Sequence, residues 1–179
     1  MNAGGDGNVA GADGNVAGVT NVVLAGLGGQ GVIKASDILA EAALRAGFDV
    51  KKAEVHGMSQ RGGSVTSDVR FGAKVLSPMV PRGEADFLLV LAESEVEVTR
   101  PLLRPGGVLL SPDLIPDAEL LNKRSLNVAL LGALSRYLDI PPEALLAAVR
   151  AALPERLHAV NERAFELGRT LVPQQVKMR

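Results

Sequence analysis

Two glycine-rich stretches hold the residue types best suited to chemistry in this chain. Gly26-Leu27-Gly28-Gly29-Gln30-Gly31 follows the apolar run Asn21-Val-Val-Leu-Ala25, and His56-Gly57-Met58-Ser59-Gln60-Arg61-Gly62-Gly63-Ser64 follows a mixed run from Phe48 to Val55. The spacing Gly26-x-Gly28-x-x-Gly31 suits a bound anion when a strand leads in and a helix leads out. Glycines clear side chains from the turn, backbone amides stay exposed, and the positive end of the helix faces the ligand. In the second stretch the planar guanidinium of Arg61 can grip a carboxylate or phosphate, and Gly62 and Gly63 let another backbone come close. His56 is a candidate proton carrier, or a histidine that shapes the loop through a backbone hydrogen bond. Met58, Gln60 and Ser64 are polar or polarizable groups that a plain turn would not need.

Three readings of the first turn stay open: a dinucleotide site, a tight strand-to-helix turn with no ligand, or a turn facing a phosphate-bearing cofactor or another subunit. Against the first, the second strand offers no well-placed acid for a ribose, because Asp49 comes too early on it and Glu54 is followed by a long polar loop. Other classes are excluded by inventory. The chain has no cysteine and two histidines, so thiolate zinc sites and cysteine-held iron–sulfur clusters cannot be built from it. No His-x-x-His pairing and no Gly-x-Ser-x-Gly occurs, so no metal site is expected, and His158 reads as a packing or surface residue. A net charge of −1 gives no case for nucleic acid. The longest apolar runs fall far short of a bilayer, so a cytoplasmic protein without membrane contact is expected.

The elements that must position these loops follow from periodicity. Asn21–Ala25 reads as a strand and Gln30–Ala46 as a helix, with apolar residues at helical spacing and Gly47 as its left-handed cap. A strand over Phe48–Val55 closes a βαβ unit, which predicts a right-handed crossover and parallel first two strands. Val65, Ser67, Val69 and Phe71 alternate as in a strand, and Gly72-Ala73 suggests a hairpin into Lys74-Val75-Leu76. Ala85–Ala92 reads as a strand buried on both faces, delivering Glu93 to its end as a candidate polar contact, with Ser94 and Glu97 as a capping box. Pro105-Gly106-Gly107 turns into a strand at Val108–Leu110, and helices are expected over Leu126–Leu138, Pro142–Leu153 and Glu155–Leu167, the last closed by Gly168. Aromatic residues make up only 3% of the chain, so Ala, Val and Leu must fill the core. The expected fold is α/β: a Rossmann-like three-layer domain with a mixed, mostly parallel sheet and a helical C-terminal segment. Residues 21–179 form one domain, after a Gly/Asn/Asp-rich tail over residues 1–20 whose near-repeats cannot bury enough apolar surface to order it.

Three segments together carry a family resemblance: Leu24-Ala-Gly-Leu-Gly-Gly-Gln-Gly31, Glu54-Val-His-Gly-Met-Ser-Gln-Arg-Gly-Gly-Ser-Val65 and Asn127-Val-Ala-Leu-Leu-Gly-Ala133. The chain resembles the gamma-type subunit of 2-oxoacid:ferredoxin oxidoreductases, over about Val22 to Gly168. The resemblance implies an enzyme that decarboxylates an arylpyruvate such as indolepyruvate to an acyl-CoA and passes the electrons to ferredoxin. A large partner subunit would carry thiamine diphosphate and the iron–sulfur clusters, while this chain would bind no cofactor alone. Its two glycine loops (Gly26, Gly28, Gly29, Gln30, Gly31; Met58, Gln60, Arg61, Gly62, Gly63, Ser64) and Glu93 would face the partner, and coenzyme A with it. His56 and Arg61 are then the residues nearest a shared active site. The chain departs from the family between Leu110 and Leu126, where relatives have room for a further strand, which leaves the strand count open. The alternative is a free-standing dinucleotide-binding enzyme or sensor using the Gly26–Gly31 turn.

Overall fold

The computed structural model describes residues 18–56 and 63–173, so most of the expected tail and the middle of the second glycine loop lie outside the described residues. Strand β1 (Thr20–Leu27) runs into the first glycine turn and helix α1 (Val32–Arg45) leaves it, as the spacing requires. Gly47 caps α1 with φ +88°; its amide donates to the Leu44 carbonyl and that of Phe48 to the Ala43 carbonyl, the paired bonds of a left-handed helix end. Strand β2 (Asp49–His56) and strand β3 (Ser64–Gly72) flank the second loop, and β4 (Ala85–Val90) and β5 (Leu103–Leu110) complete a five-stranded sheet in the order β2-β3-β1-β4-β5.

The sheet is mixed, with β1, β2, β4 and β5 running one way and β3 the other. β1 and β2 are parallel in direction, as expected, but they are not neighbours: β3 stands between them and pairs antiparallel with both. The predicted hairpin at Gly72-Ala73 is therefore not formed. With both edges of β3 occupied, Lys74-Val75-Leu76 has no ladder to join, and the hairpin is made instead by β2 and β3 around the second glycine loop. Residues 74–84 become a strap held by side chains. The Val75 amide donates to Asp49 Oδ2 (2.7 Å) and the Val80 amide to Asp68 Oδ2 (2.8 Å), while Arg70, 2% exposed, donates to the carbonyls of Ser77 and Met79 (both 3.1 Å). Burial pushes the Asp68 carboxyl above the usual carboxylate range, against the opposing pull of the Val80 amide and of Arg70.

Helices cover both faces unequally. Val22, Leu24, Val69, Phe71 and Leu89 point to the side packed by α1, α3 (Leu126–Leu134), α4 (Pro142–Ala152) and α5 (His158–Leu171). Val23, Ala25, Leu88 and Val90 point to the other, where Val96 of the short helix α2 (Glu93–Thr99) meets them. The expected capping box is absent. The chain stays extended through Ala92 (φ −132°, ψ 128°), so the helix begins at Glu93, the cap position falls on alanine, and Ser94 lies inside the helix. β5 starts earlier than expected, at Leu103, and takes the Pro105-Gly106-Gly107 turn into itself as a register shift, with Gly106 at φ +76°. From Leu110 to Leu126 the chain forms short 3₁₀ turns and, among the described residues, no further strand.

Gly168 does not end its helix: α5 continues to Leu171, and Gly168 sits where α5 crosses α3. A Cβ there would overlap the Ala129 carbonyl, and one at Gly132 would overlap the Phe165 carbonyl, so two backbones touch where side chains would hold them apart. α3 is buried from Asn127 to Leu134 and lies sandwiched, as a helix apolar all round must. Gly168→Ala is expected to cost about 3 kcal/mol of unfolding free energy, the range for overpacking a tight core. Gly47→Ala, where a Cβ meets nothing within 4 Å, loses about 1 kcal/mol through its backbone angle alone; urea denaturation of the two variants measures the difference.

Candidate functional site

The strand directions bring the glycine loops to one edge of the sheet. β1, β2 and β4 all end there and β3 begins there, with Leu27 opposite Ser64, His56 opposite Val65 and Ala25 beside Val90. Just past the end of the β1–β3 ladder, the Gly28 amide donates to the Gly63 carbonyl at 2.9 Å and ties the first turn to the second. His56 closes β2 at this edge; Met58, Gln60, Arg61 and Gly62 lie outside the described residues.

Within the first turn the glycines do different work. Gly29 (φ +90°) and Gly31 (φ +86°) adopt the left-handed region that side chains disfavour. Gly26 is needed for packing, since a Cβ would stand 2.9 Å from Gln30 Oε1 and 3.0 Å from Leu91 and Val32 side-chain atoms. Gln30 folds back: its Oε1 accepts from the Leu27 amide (2.7 Å) and its own amide donates to the Leu27 carbonyl (3.1 Å). With Gly28 also engaged, the turn keeps the amides of Gly29 and Gly31 without a protein acceptor among the described residues.

A second helix meets this turn. Asn127, in the first turn of α3, donates through Nδ2 to the Gly31 carbonyl (3.2 Å), so the N-termini of α1 and α3 converge on one cleft of about 510 Å³. Gly29, Gly31 and Asn127 line it, with the cations Lys34, Lys123 and Arg124 at its rim. Lys123 is paired with Asp117 (2.7 Å), whereas Lys34 and Arg124 have no ion pair among the described residues. Free amides, two helix N-termini and unpaired cations make an anion-accepting cleft. On the other side of the turn an apolar hollow of about 330 Å³ is formed by Leu27, Val32, Ile33 and Val65. Another groove, about 610 Å³, lies away from the turn along α1 and α4 over Ile38, Val50 and Ala148, where Lys52 is tied to Asp37 and Glu54.

Glu93 lies at the same edge but is exposed; the acid turned inward from α2 is Glu95, 8% exposed, which accepts from Ser64 Oγ at 2.7 Å. Lys34, Lys123, Arg124, Asn127 and Glu95 were not legible as site residues from spacing. Only a Lys-Arg pair directly before a helix, and a lysine in the turn after Gly31, hinted at the cationic rim. His158 Nε2 lies 3.0 Å from the Arg150 carbonyl and 2.8 Å from that of Leu153, a structural link between α4 and α5. Among the described residues no group of three His, Cys, Asp or Glu side chains could hold a metal ion, and no helix is long and apolar enough to cross a membrane.

The α/β fold, a mixed sheet with a glycine turn at its carboxyl edge, matches that of an oxoacid oxidoreductase gamma subunit, and the chain belongs to the pyruvate ferredoxin/flavodoxin oxidoreductase family, whose model matches residues 21–119. Among its relatives, indolepyruvate oxidoreductase subunit IorB of Thermococcus kodakarensis is 37% identical across 83% of this chain and 93% of the relative. The subunit of the same name from Methanothermobacter thermautotrophicus is 34% identical over 83% and 95%. The gamma subunit of a keto/oxoacid ferredoxin oxidoreductase from Geobacter sulfurreducens superposes with a TM-score of 0.69 at 26% identity, covering 85% of this chain and 95% of that one. A 2-oxoglutarate:ferredoxin oxidoreductase from Magnetococcus marinus, solved with 2-oxoglutarate, coenzyme A and succinyl-CoA bound, shares the fold at a TM-score of 0.76 and 23% identity, over 90% of this chain and 33% of that one.

Gly31→Ala forces a Cβ to within 2.5 Å of Asn127 Nδ2 on a left-handed backbone. The expected result is a loss of about 2 kcal/mol in denaturation, the sum of backbone strain and a displaced polar contact.

Proposed function

We propose that this chain is the small subunit of a cytoplasmic indolepyruvate:ferredoxin oxidoreductase, with residues 21–179 as its single gamma-type domain. It acts only together with a large subunit. The observation that carries the reading is the joined pair of glycine loops at one sheet edge, beside a cationic cleft, in a chain whose relatives are subunits of such enzymes. The absence of cysteine from the sequence fits a division of labour in which the partner supplies the thiolates for iron–sulfur clusters. Thiamine diphosphate and those clusters supply the decarboxylation of the 2-oxoacid and the transfer of electrons to ferredoxin. This chain's residues bind and orient. The loop from His56 to Ser64, Arg61 foremost, is assigned to the surface that completes the active site with the partner, together with Glu93.

The cleft is assigned to the phosphates of coenzyme A. The free amides of Gly29 and Gly31 and the cations of Lys34 and Arg124 match phosphate oxygens in charge and hydrogen-bonding capacity. A dinucleotide enzyme is disfavoured by topology. A ribose is held from the end of the strand adjacent to the first, and here that neighbour is β3, which presents its beginning, Ser64, where a parallel strand would present an acid.

The test is co-expression with the large subunit and assay of arylpyruvate-dependent ferredoxin reduction. Turnover by the pair and none by either chain alone is expected, and tight NAD or FAD binding by the isolated chain overturns the reading. In the assembled enzyme, Lys34→Glu and Arg124→Glu should each raise KM for coenzyme A about tenfold, the loss of one charge-assisted contact, and leave KM for the 2-oxoacid unchanged.

A further inference from the structure

The bond between Gly28 and Gly63 stands beyond the last pair of the β1–β3 ladder, Leu27 with Ser64, so no further rung supports it. Support comes from the other face of the sheet. Glu95 lies in the first turn of α2, its amide donating to the Ala92 carbonyl (3.0 Å) and its carbonyl accepting from Thr99 Oγ1 (2.6 Å), so its backbone is fixed at both groups. The residue is 8% exposed, and its Oε2 accepts from Ser64 Oγ at 2.7 Å in a partly buried contact, with no cation paired to it among the described residues. An apolar side chain would fill the same inward slot without a polar group to satisfy, so the Glu95–Ser64 bond is not needed for packing. Its use here is placement. Ser64 follows Gly63, Gly63 holds Gly28, and Gly28 precedes the free amide of Gly29 at the cleft.

We propose that Glu95 is a positioning residue: through Ser64 it fixes the stem of the second glycine loop, and through the Gly63 carbonyl it sets the first glycine turn in its ligand-binding shape. The proposal rests on the reading of the cleft as the coenzyme A site for its kinetic consequence, but not for its structural one. Glu95→Gln keeps an acceptor oxygen for Ser64; Glu95→Ala does not.

Amide-resolved hydrogen exchange on the full chain, with kinetics on the assembled enzyme, tests it. In Glu95→Ala the Gly28 amide should exchange about tenfold faster while the amides of Val22 to Leu24 keep their protection, and Glu95→Gln should exchange as the unaltered chain does. KM for coenzyme A should rise about fivefold in Glu95→Ala with kcat within about twofold, and return in Glu95→Gln. Unchanged protection at Gly28 in Glu95→Ala overturns the proposal, and so does a loss spread across β1 and β4, which marks a stability role only. If the unaltered assembled enzyme shows no arylpyruvate turnover, the functional reading fails, and the exchange at Gly28 still decides the role of Glu95.

Discussion

The hydrogen bond from the Gly28 amide to the Gly63 carbonyl joins two loops that are 35 residues apart in the chain, and the candidate site exists because of it. It forms because β3 pairs antiparallel with β1 along its whole length and so begins where β1 ends. Were β2 to occupy that place, as in an all-parallel sheet, the second loop would lead away into a crossover and the two turns would be separated by a strand's width. The inserted strand therefore turns a nucleotide-type glycine turn into a two-loop surface. The Gly28 amide holds the loops together, and those of Gly29 and Gly31 have no acceptor among the described residues.

Around that contact the molecule is asymmetric. One sheet face carries four helices and nearly all the larger apolar side chains, while the other carries the seven-residue α2, the strap over residues 74–84 and a smaller core. With aromatics at 3% of the chain, close approach substitutes for bulk: Gly132 and Gly168 let α3 and α5 meet backbone to backbone, and short side chains of α1 and α4 pack against each other. Packing at this distance gains dispersion energy per unit volume that larger side chains would supply elsewhere. α3 is pinned by that crossing, and its N-terminus, with Asn127, is thereby delivered to Gly31. The cleft beside Gly31 thus depends on a helix contact away from the glycine turn.

Polar side chains on the thinner face do what apolar packing does on the other. Arg70, Asp68, Asp49 and Asn21 each bond backbone groups of the strap or of the strands beside it, so residues 74–84 are ordered without secondary structure. Buried polar groups keep their cost low only when such bonds are made, and in the strap Glu84 Oε2 lacks one. Glu95 with Ser64 belongs to the same pattern, at the end of the sheet where the loops lie.

Much of this was legible from the amino-acid order, because local physics decides it. The strand, glycine turn and helix from Thr20 to Arg45, the left-handed cap at Gly47, the alternation through Phe71, the buried run at Ala85 and three C-terminal helices all follow from side-chain period and glycine's backbone freedom. The convergence of both loops on the carboxyl edge follows too, since strand direction in a βαβ unit is nearly forced. What local order could not decide is which strand lies beside which, because pairing depends on contacts between segments far apart, and the insertion of β3 removed the expected hairpin at Gly72. Gly168 was misread for the same reason: a glycine near a helix end and one at a helix crossing look alike until the partner backbone of Ala129 is in place. The cationic rim of Lys34 and Arg124, and the choice of Glu95 over Glu93, come from residues whose side chains point inward or together only once the sheet and its helices are assembled.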